Sequence, residues 1–242
     1  WPIIGPQIHD VLTAQRASWN EDHLVPIFRN GRIEEVYWTY GYSPVLDETG
    51  EVGGVLVVCT ETTARVLAER RARTLRLLAD RTTPAWDMKS LFDATFEVLQ
   101  DAPRDFPFVA LQADLGLGAG FGLEHDAERV ERRELAAGKF RGTLGFGLSR
   151  QLPFDDGYRG HLEQVTEHVQ LSLARIQARA VRAAADNERN ALLLQAPVPT
   201  ALLTGPEHTF RLATARFCEM VGRTELVGKP YLEVFPELAG NG

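Results

Sequence analysis

Hydrophobic and polar positions change period several times along the chain, and each change marks an element. Ile4, Ile8, Val11 and Leu12 fall at helical spacing within Ile3 to Ala14. Ser18 to Phe28 reads as a strand, and Asn30-Gly31 is a hairpin signal. Val36-Tyr37-Trp38-Thr39-Tyr40 is β-branched and aromatic, as a half-buried strand requires. Asp47-Glu48-Thr49-Gly50 carries turn chemistry, and Val52 to Cys59 is a further apolar strand. With no Gly or Pro to interrupt the exit, Glu61-Thr62-Thr63-Ala64-Arg65 hands that strand to an Arg-rich helix from Thr63 to about Arg81. Val66, Leu67, Leu75 and Leu78 form its sparse apolar face, and Thr82-Thr83-Pro84 ends it. A sheet whose last strand runs straight into a helix can pass a change in packing along that helix.

The next helix places Leu91, Phe92, Thr95, Phe96 and Leu99 on one face. Strands follow over Phe108 to Ala113, Val130 to Ala136 and Gly142 to Leu148, with a flexible glycine-rich segment at Gly116 to Gly122. From Asp155, an N-cap after Pro153-Phe154, a single long helix is predicted to about Gln195. Leu162, Val165, Val169, Leu173, Ile176, Ala180, Ala183 and Asn187 follow steps of three and four along it. Two successive steps of four, through Val165, Val169 and Leu173, read as a stutter, which locally unwinds a coiled coil. That row predicts a parallel homodimer seam, with packing on the chain's own domain as the other reading of its first half. Ala196-Pro197-Val198-Pro199 stops the helix. Two short strands, Thr200 to Thr204 and Thr209 to Leu212, and a helix over Ala215 to Val221 close the pattern.

Composition narrows the class. At 242 residues with 44% hydrophobic content the chain can support packed cores. No apolar run is long enough to cross a bilayer, no signal peptide is present, and Trp1 in place of an initiator Met predicts a start inside a longer protein. A net charge of −7 argues against a nucleic-acid-binding surface. Two isolated cysteines, Cys59 and Cys218, without CxxC or HxxxH pairs, predict a reducing, cytoplasmic setting and no structural metal.

In this order the elements resemble sensor modules of bacterial signalling proteins. Residues 1–63 resemble the C-terminal half of a PAS domain. Glu61-Thr62-Thr63-Ala64-Arg65 stands at the place of the family's Asp-Ile-Thr-Glu-Arg exit motif. Residues 64–83 form a linker helix. Residues 84–179 are similar to a shortened GAF domain, chiefly in Arg141 to Leu173, with little room between Phe121 and Phe140 for the usual roof of a ligand pocket. Residues 180–196 read as a signalling helix, and 197–242 resemble the N-terminal half of a second PAS domain, with Thr214 where that family usually carries Asn. The fold class expected is α+β, antiparallel-sheet sensor modules joined by long helices. The resemblance implies a non-catalytic sensory and dimerisation segment of a two-component protein, in the manner of a histidine kinase. Glu61, Thr62, Thr63 and Arg65 would relay packing changes to an output kinase or phosphatase domain.

The alternative is a receptor that binds a small molecule or haem. His9 lies on the helix where haem-binding PAS domains place an axial ligand. No cofactor is otherwise predicted. Gly142-Thr-Leu-Gly145-Phe-Gly147 resembles the glycine box of histidine-kinase ATP sites, but no Asn-rich helix and no Asp-x-Gly-x-Gly accompany it. Glycines at close backbone approaches explain it better. None of the six histidines has the His-Glu-x-Arg-Thr-Pro context of a phosphoacceptor, and His161 and His168 read as exposed helix residues. No paired-carboxylate or Ser-His-Asp constellation can be placed, so no enzymatic activity is expected of the chain.

Overall fold

The computed structural model describes residues 2–113, 118–194 and 198–238. The chain divides into two compact units, residues 1–176 and 177–242. Both are built from antiparallel strands and helices, as the α+β reading expects.

The first unit opens with α1 (Gly5–Ala14), β1 (Ser18–Leu24), β2 (Ile27–Arg29), β3 (Arg32–Glu34), β4 (Tyr37–Leu46), β5 (Val52–Glu61) and α2 (Thr63–Thr82). The strand expected over Ser18 to Phe28 is broken at Val25-Pro26, since proline has no N–H to give to a ladder. Ile27–Arg29 instead pairs with Arg32–Glu34 in a hairpin of its own. Asn30 and Gly31 turn that hairpin with φ of 52° and 79°, the left-handed backbone that an Asn-Gly turn supplies. A three-stranded sheet remains, in the order β1-β4-β5. Asp47 closes its long hairpin by accepting from Thr49 N at 2.8 Å and Glu51 N at 3.2 Å.

The middle of the chain adds α3 (Met88–Gln100), β6 (Phe108–Ala113), β7 (Gly118–Phe121), β8 (Val130–Ala137), β9 (Phe140–Gly147) and α4 (Asp156–Leu194). Asp87 caps α3 in a reciprocal box with Ser90, and Leu91, Phe92, Thr95, Phe96 and Leu99 are buried along it. The sheet order is β7-β6-β9-β8. Gly118–Phe121 is therefore a strand, not a flexible segment, because it pairs with β6 from Gln112 to Val109; Gly116 lies outside the described residues. The glycines of β9 sit at close approaches. A Cβ on Gly147 would come 2.6 Å from Phe108 Cβ and 2.8 Å from Ala127 Cβ.

Asp155 caps α4 as expected, its Oδ1 accepting from Tyr158 N at 2.8 Å. Of the two readings of the helix's first half, packing on its own domain is the one the structure shows. Leu162, Val165, Val169 and Leu173 have no exposed surface and Ile176 only 6%, because they fill the core that Leu78, Leu91, Leu99, Leu111, Leu144 and Phe146 share. Side chains used up in their own core cannot also line a dimer interface. Beyond Ile176 the helix emerges: Ala180, Ala183 and Asn187 are exposed, as are Val181 and Leu192 at 67% and 65%.

The second unit holds the end of α4, then β10 (Ala201–Thr204), β11 (Thr209–Ala213), α5 (Ala215–Val221) and α6 (Tyr231–Val234). Strand β10 pairs with β11, and Phe210, Leu226 and Val234 form a small core. Thr214 caps α5, its Oγ1 accepting from Thr200 N at 3.0 Å and Phe217 N at 3.2 Å.

Candidate relay site where the sheet enters the helix

The four predicted exit residues come together, tied to three parts of the first sheet region: β1, β2 and the start of β4. Glu61 ends β5 and receives both terminal nitrogens of Arg29, from β2, at 2.9 and 3.0 Å. Thr62 N donates to Tyr37 O at 2.8 Å, and Tyr37 N donates to Thr63 Oγ1 at 3.0 Å, fixing the first turn of α2 to the start of β4. Arg65 pairs with Asp22 of β1 and, one turn along, with Glu69 at 3.0 Å. Asp22 sits at a bulge in β1, with φ of 48°, and the irregularity aims its carboxylate at the helix. The Thr62 hydroxyl and the Arg65 guanidinium beside it hold the Asp22 carboxyl below the usual carboxylate range, and hydrogen bonds from Arg29 do the same for Glu61. Both acids therefore stay ionised to lower pH than a free carboxylate would.

One turn further on lies a second cluster that the sequence reading does not foresee. Glu35, between β3 and β4, and Asp105, in the loop before β6, keep 1% and 0% of their side-chain surface. Arg70 bridges them, Nη1 to Glu35 and Nε to Asp105 Oδ2 at 2.7 Å. Arg71 Nε donates to Asp105 Oδ1 at 3.3 Å, and Arg104 pairs with Glu35 at 3.5 Å. Burial is the strongest influence on Arg70 and opposes its charge, but Asp105 and Glu35 together outweigh it and raise its pKa above the usual arginine value. Tyr37 OH adds a hydrogen bond to Glu35 at 2.8 Å, and Tyr158 OH donates to the Asp105 carbonyl. Glu35 N donates to Gln151 O at 2.9 Å. The cluster thus joins the first sheet region, α2 and the middle of the chain. A register signal for it exists: Leu67, Arg71, Thr74 and Leu78 share one helical face, so an arginine stands inside the apolar stripe.

Against the first sheet an open apolar cavity of ≈200 Å³ is lined by residues such as Ile4, Val25, Trp38, Tyr40, Tyr42 and Val57. Tyr40 OH donates to Gln7 Oε1 at 2.9 Å and meets His23 Nδ1 at 2.7 Å. His9, the candidate haem ligand, is exposed on α1 and is not among the lining residues. The geometry does not bring it to the cavity, which is itself below the size of ordinary ligand pockets. His161 and His168 also depart from expectation. His161 is 2% exposed, and His168 is half-buried with Nε2 at 2.7 Å from Thr82 Oγ1. Among the described residues no cluster of potential metal ligands occurs, and no helix is long and apolar enough to cross a membrane.

Against known protein families, residues 2–67 match the PAS fold. The matched span begins before α1 and ends two residues past Arg65, so it contains the three-stranded sheet and the whole exit. The match gives this segment a PAS fold. No curated protein matches the sequence of the chain.

Proposed function

We propose that the chain is a non-catalytic sensory and relay segment of a cytoplasmic signal-transduction protein. In this reading residues 2–67 register a change in sheet packing, and α2 transmits it to a GAF-like middle and on to α4. The observation that carries the reading is the buried Glu35–Arg70–Asp105 bridge, because it ties the PAS sheet to the next module by charges that cannot be separated cheaply. Breaking one partner of a buried pair leaves an uncompensated charge, at about 3–5 kcal/mol. A shift at one end must therefore be accommodated at the other. An output kinase or phosphatase domain would receive the signal.

Self-association fits the exposed half of α4. Between residues 177 and 192 its side chains are exposed or half-exposed, and an isolated helix of that kind is marginal without a partner. A parallel homodimer through this half, by way of Ala180, Ala183 and Asn187 with Val181 and Leu192 nearby, would cover it. Sedimentation should find a dimer at micromolar protein that Val181→Glu weakens; a strict monomer would remove this part of the proposal.

The relay is tested by hydrogen exchange. Trp38→Ala, which opens the cavity wall, should speed amide exchange in residues 75–82 and 106–109 as well as in the PAS sheet. In an Arg70→Met background the distant change should vanish. A response confined to residues 2–67 in the otherwise native chain would sink the relay reading.

A further inference from the structure

Helix α2 and the beginning of α4 enclose a groove of ≈400 Å³. Ala64, Ala68, Ala72 and Leu75 line it from α2, one helical turn apart, so their small side chains leave space that longer ones would fill. His161 lines it from α4 while only 2% exposed, and neither of its ring nitrogens has a hydrogen-bond partner. A buried imidazole with both nitrogens unmatched is costly, since buried polar groups otherwise find partners. Phe106, with its ring centroid 5.3 Å from that of His161, packs against the ring but offers no acceptor or donor.

Arg71 stands beside it on the same groove. Its Nε is taken by Asp105, and its guanidinium lies 4.8 Å above the Tyr158 ring. Among the described residues its terminal nitrogens meet no protein acceptor, so the fork that suits a carboxylate is open. A Cβ at Gly157 would come 3.3 Å from Arg71 Nη1, a tight contact that the glycine avoids. The surrounding charges leave a surplus: Arg70, Arg71 and Arg104 face only Glu35 and Asp105. Asp155 is the acidic group at the rim, and it is engaged in capping α4. Burial lowers the His161 pKa to about 4, so at neutral pH the ring is uncharged and offers one donor and one acceptor.

We propose that this groove binds a small amphipathic carboxylate, its head group on Arg71 and His161 and its alkyl part along Ala64, Ala68, Ala72 and Leu75. The site lies between helices, away from the faces of both sheets, and does not depend on the relay reading. A ligand there would touch the helix leaving the PAS module and the long helix at once.

The experiment uses the full chain labelled with 15N at histidine, near pH 7.5, titrated with sodium hexanoate. The ring nitrogens of His161 should shift and saturate with a Kd on the order of 1 mM, while His9 and His208 stay in place. Ala68→Phe fills the groove from an exposed position, so it should keep the melting temperature and weaken binding at least about tenfold. Hexan-1-ol, with the same chain and no charge, should likewise bind at least about tenfold more weakly if Arg71 holds the head group. Unshifted His161 nitrogens, an undiminished response in Ala68→Phe, or equal binding of the alcohol would each overturn the proposal. So would a His161 shift that follows protein concentration instead of hexanoate, which would assign the groove to a second copy of the chain.

Discussion

Two clusters of arginine and carboxylate meet the beginning of α2, and burial makes them different devices. At the exit, Arg29 and Glu61 keep 37% and 34% of their side-chain surface, and Arg65 and Asp22 keep 53% and 33%, although Arg29 also reaches the buried carboxylate of Glu34. One turn on, Glu35 and Asp105 keep essentially none. Exposed pairs contribute about 0–1 kcal/mol and weaken in salt, whereas a buried pair costs several times that to break. The exit cluster therefore sets direction, holding the first turn of α2 against three strands. The buried cluster sets coupling, because neither the PAS sheet nor the middle of the chain can move from it without stranding a charge. Residue type alone does not separate the two roles.

The contrast is sharpest at Asp105. Asp105→Asn should lower the unfolding free energy by about 3–5 kcal/mol, read as a drop in urea midpoint. A loss below about 1 kcal/mol would place the buried cluster in the same class as the exit. The next effect is acid sensitivity from His161, whose burial disfavours the charged ring, with Asp105 opposing and Arg71 and Arg70 adding to that from the same cluster. Its folded pKa, about 4, is below the unfolded 6.5, so the fold favours the neutral ring. That contribution is complete above the unfolded value and declines as pH falls toward 4, when the unfolded chain takes up the proton first. Its full extent is about 3 kcal/mol. A urea-midpoint series in His161→Gln should lose this part of the acid slope.

Tyr158→Phe probes the support beneath Asp105. Its hydroxyl donates to the Asp105 carbonyl and accepts from Ser149 N at 3.1 Å, so losing it should cost about 1–2 kcal/mol. The smallest effect is expected at the exit. Glu61→Gln should change stability by less than about 1 kcal/mol, and the difference should disappear near 1 M salt. A larger, salt-insensitive loss would mean that the exit latch is energetically buried after all.

Much of the architecture is legible in the sequence because period-two and helical patterns are local. The Asn30-Gly31 hairpin, the turn over residues 47–50, the helix that Asp87 caps and the Asp155 cap all follow from chemistry within a few residues. The exit is legible for the same reason, since β5 runs into α2 with only Thr62 between them. Sequence reasoning fails where partners are distant. Spacing alone cannot tell which surface a stripe meets, so the row from Leu162 to Ile176 suits an interface as well as it suits a core, although α3 and the second sheet cover it. Glu35, Arg70 and Asp105 are far apart along the chain, and nothing near any one of them announces the other two. His161 reads as a surface residue because its burial comes from Phe106 and from α2, both remote in sequence.

If the buried cluster couples the PAS sheet to the middle of the chain, the two must open together. Native-state hydrogen exchange tests this most directly, comparing the amides of Tyr40 and Tyr42 in β4 with those of Val109 and Leu111 in β6. One shared opening free energy and one shared denaturant slope are expected for all four, separating into two in Asp105→Asn. Separate values in the native chain, with β4 opening independently of β6, would contradict the coupling.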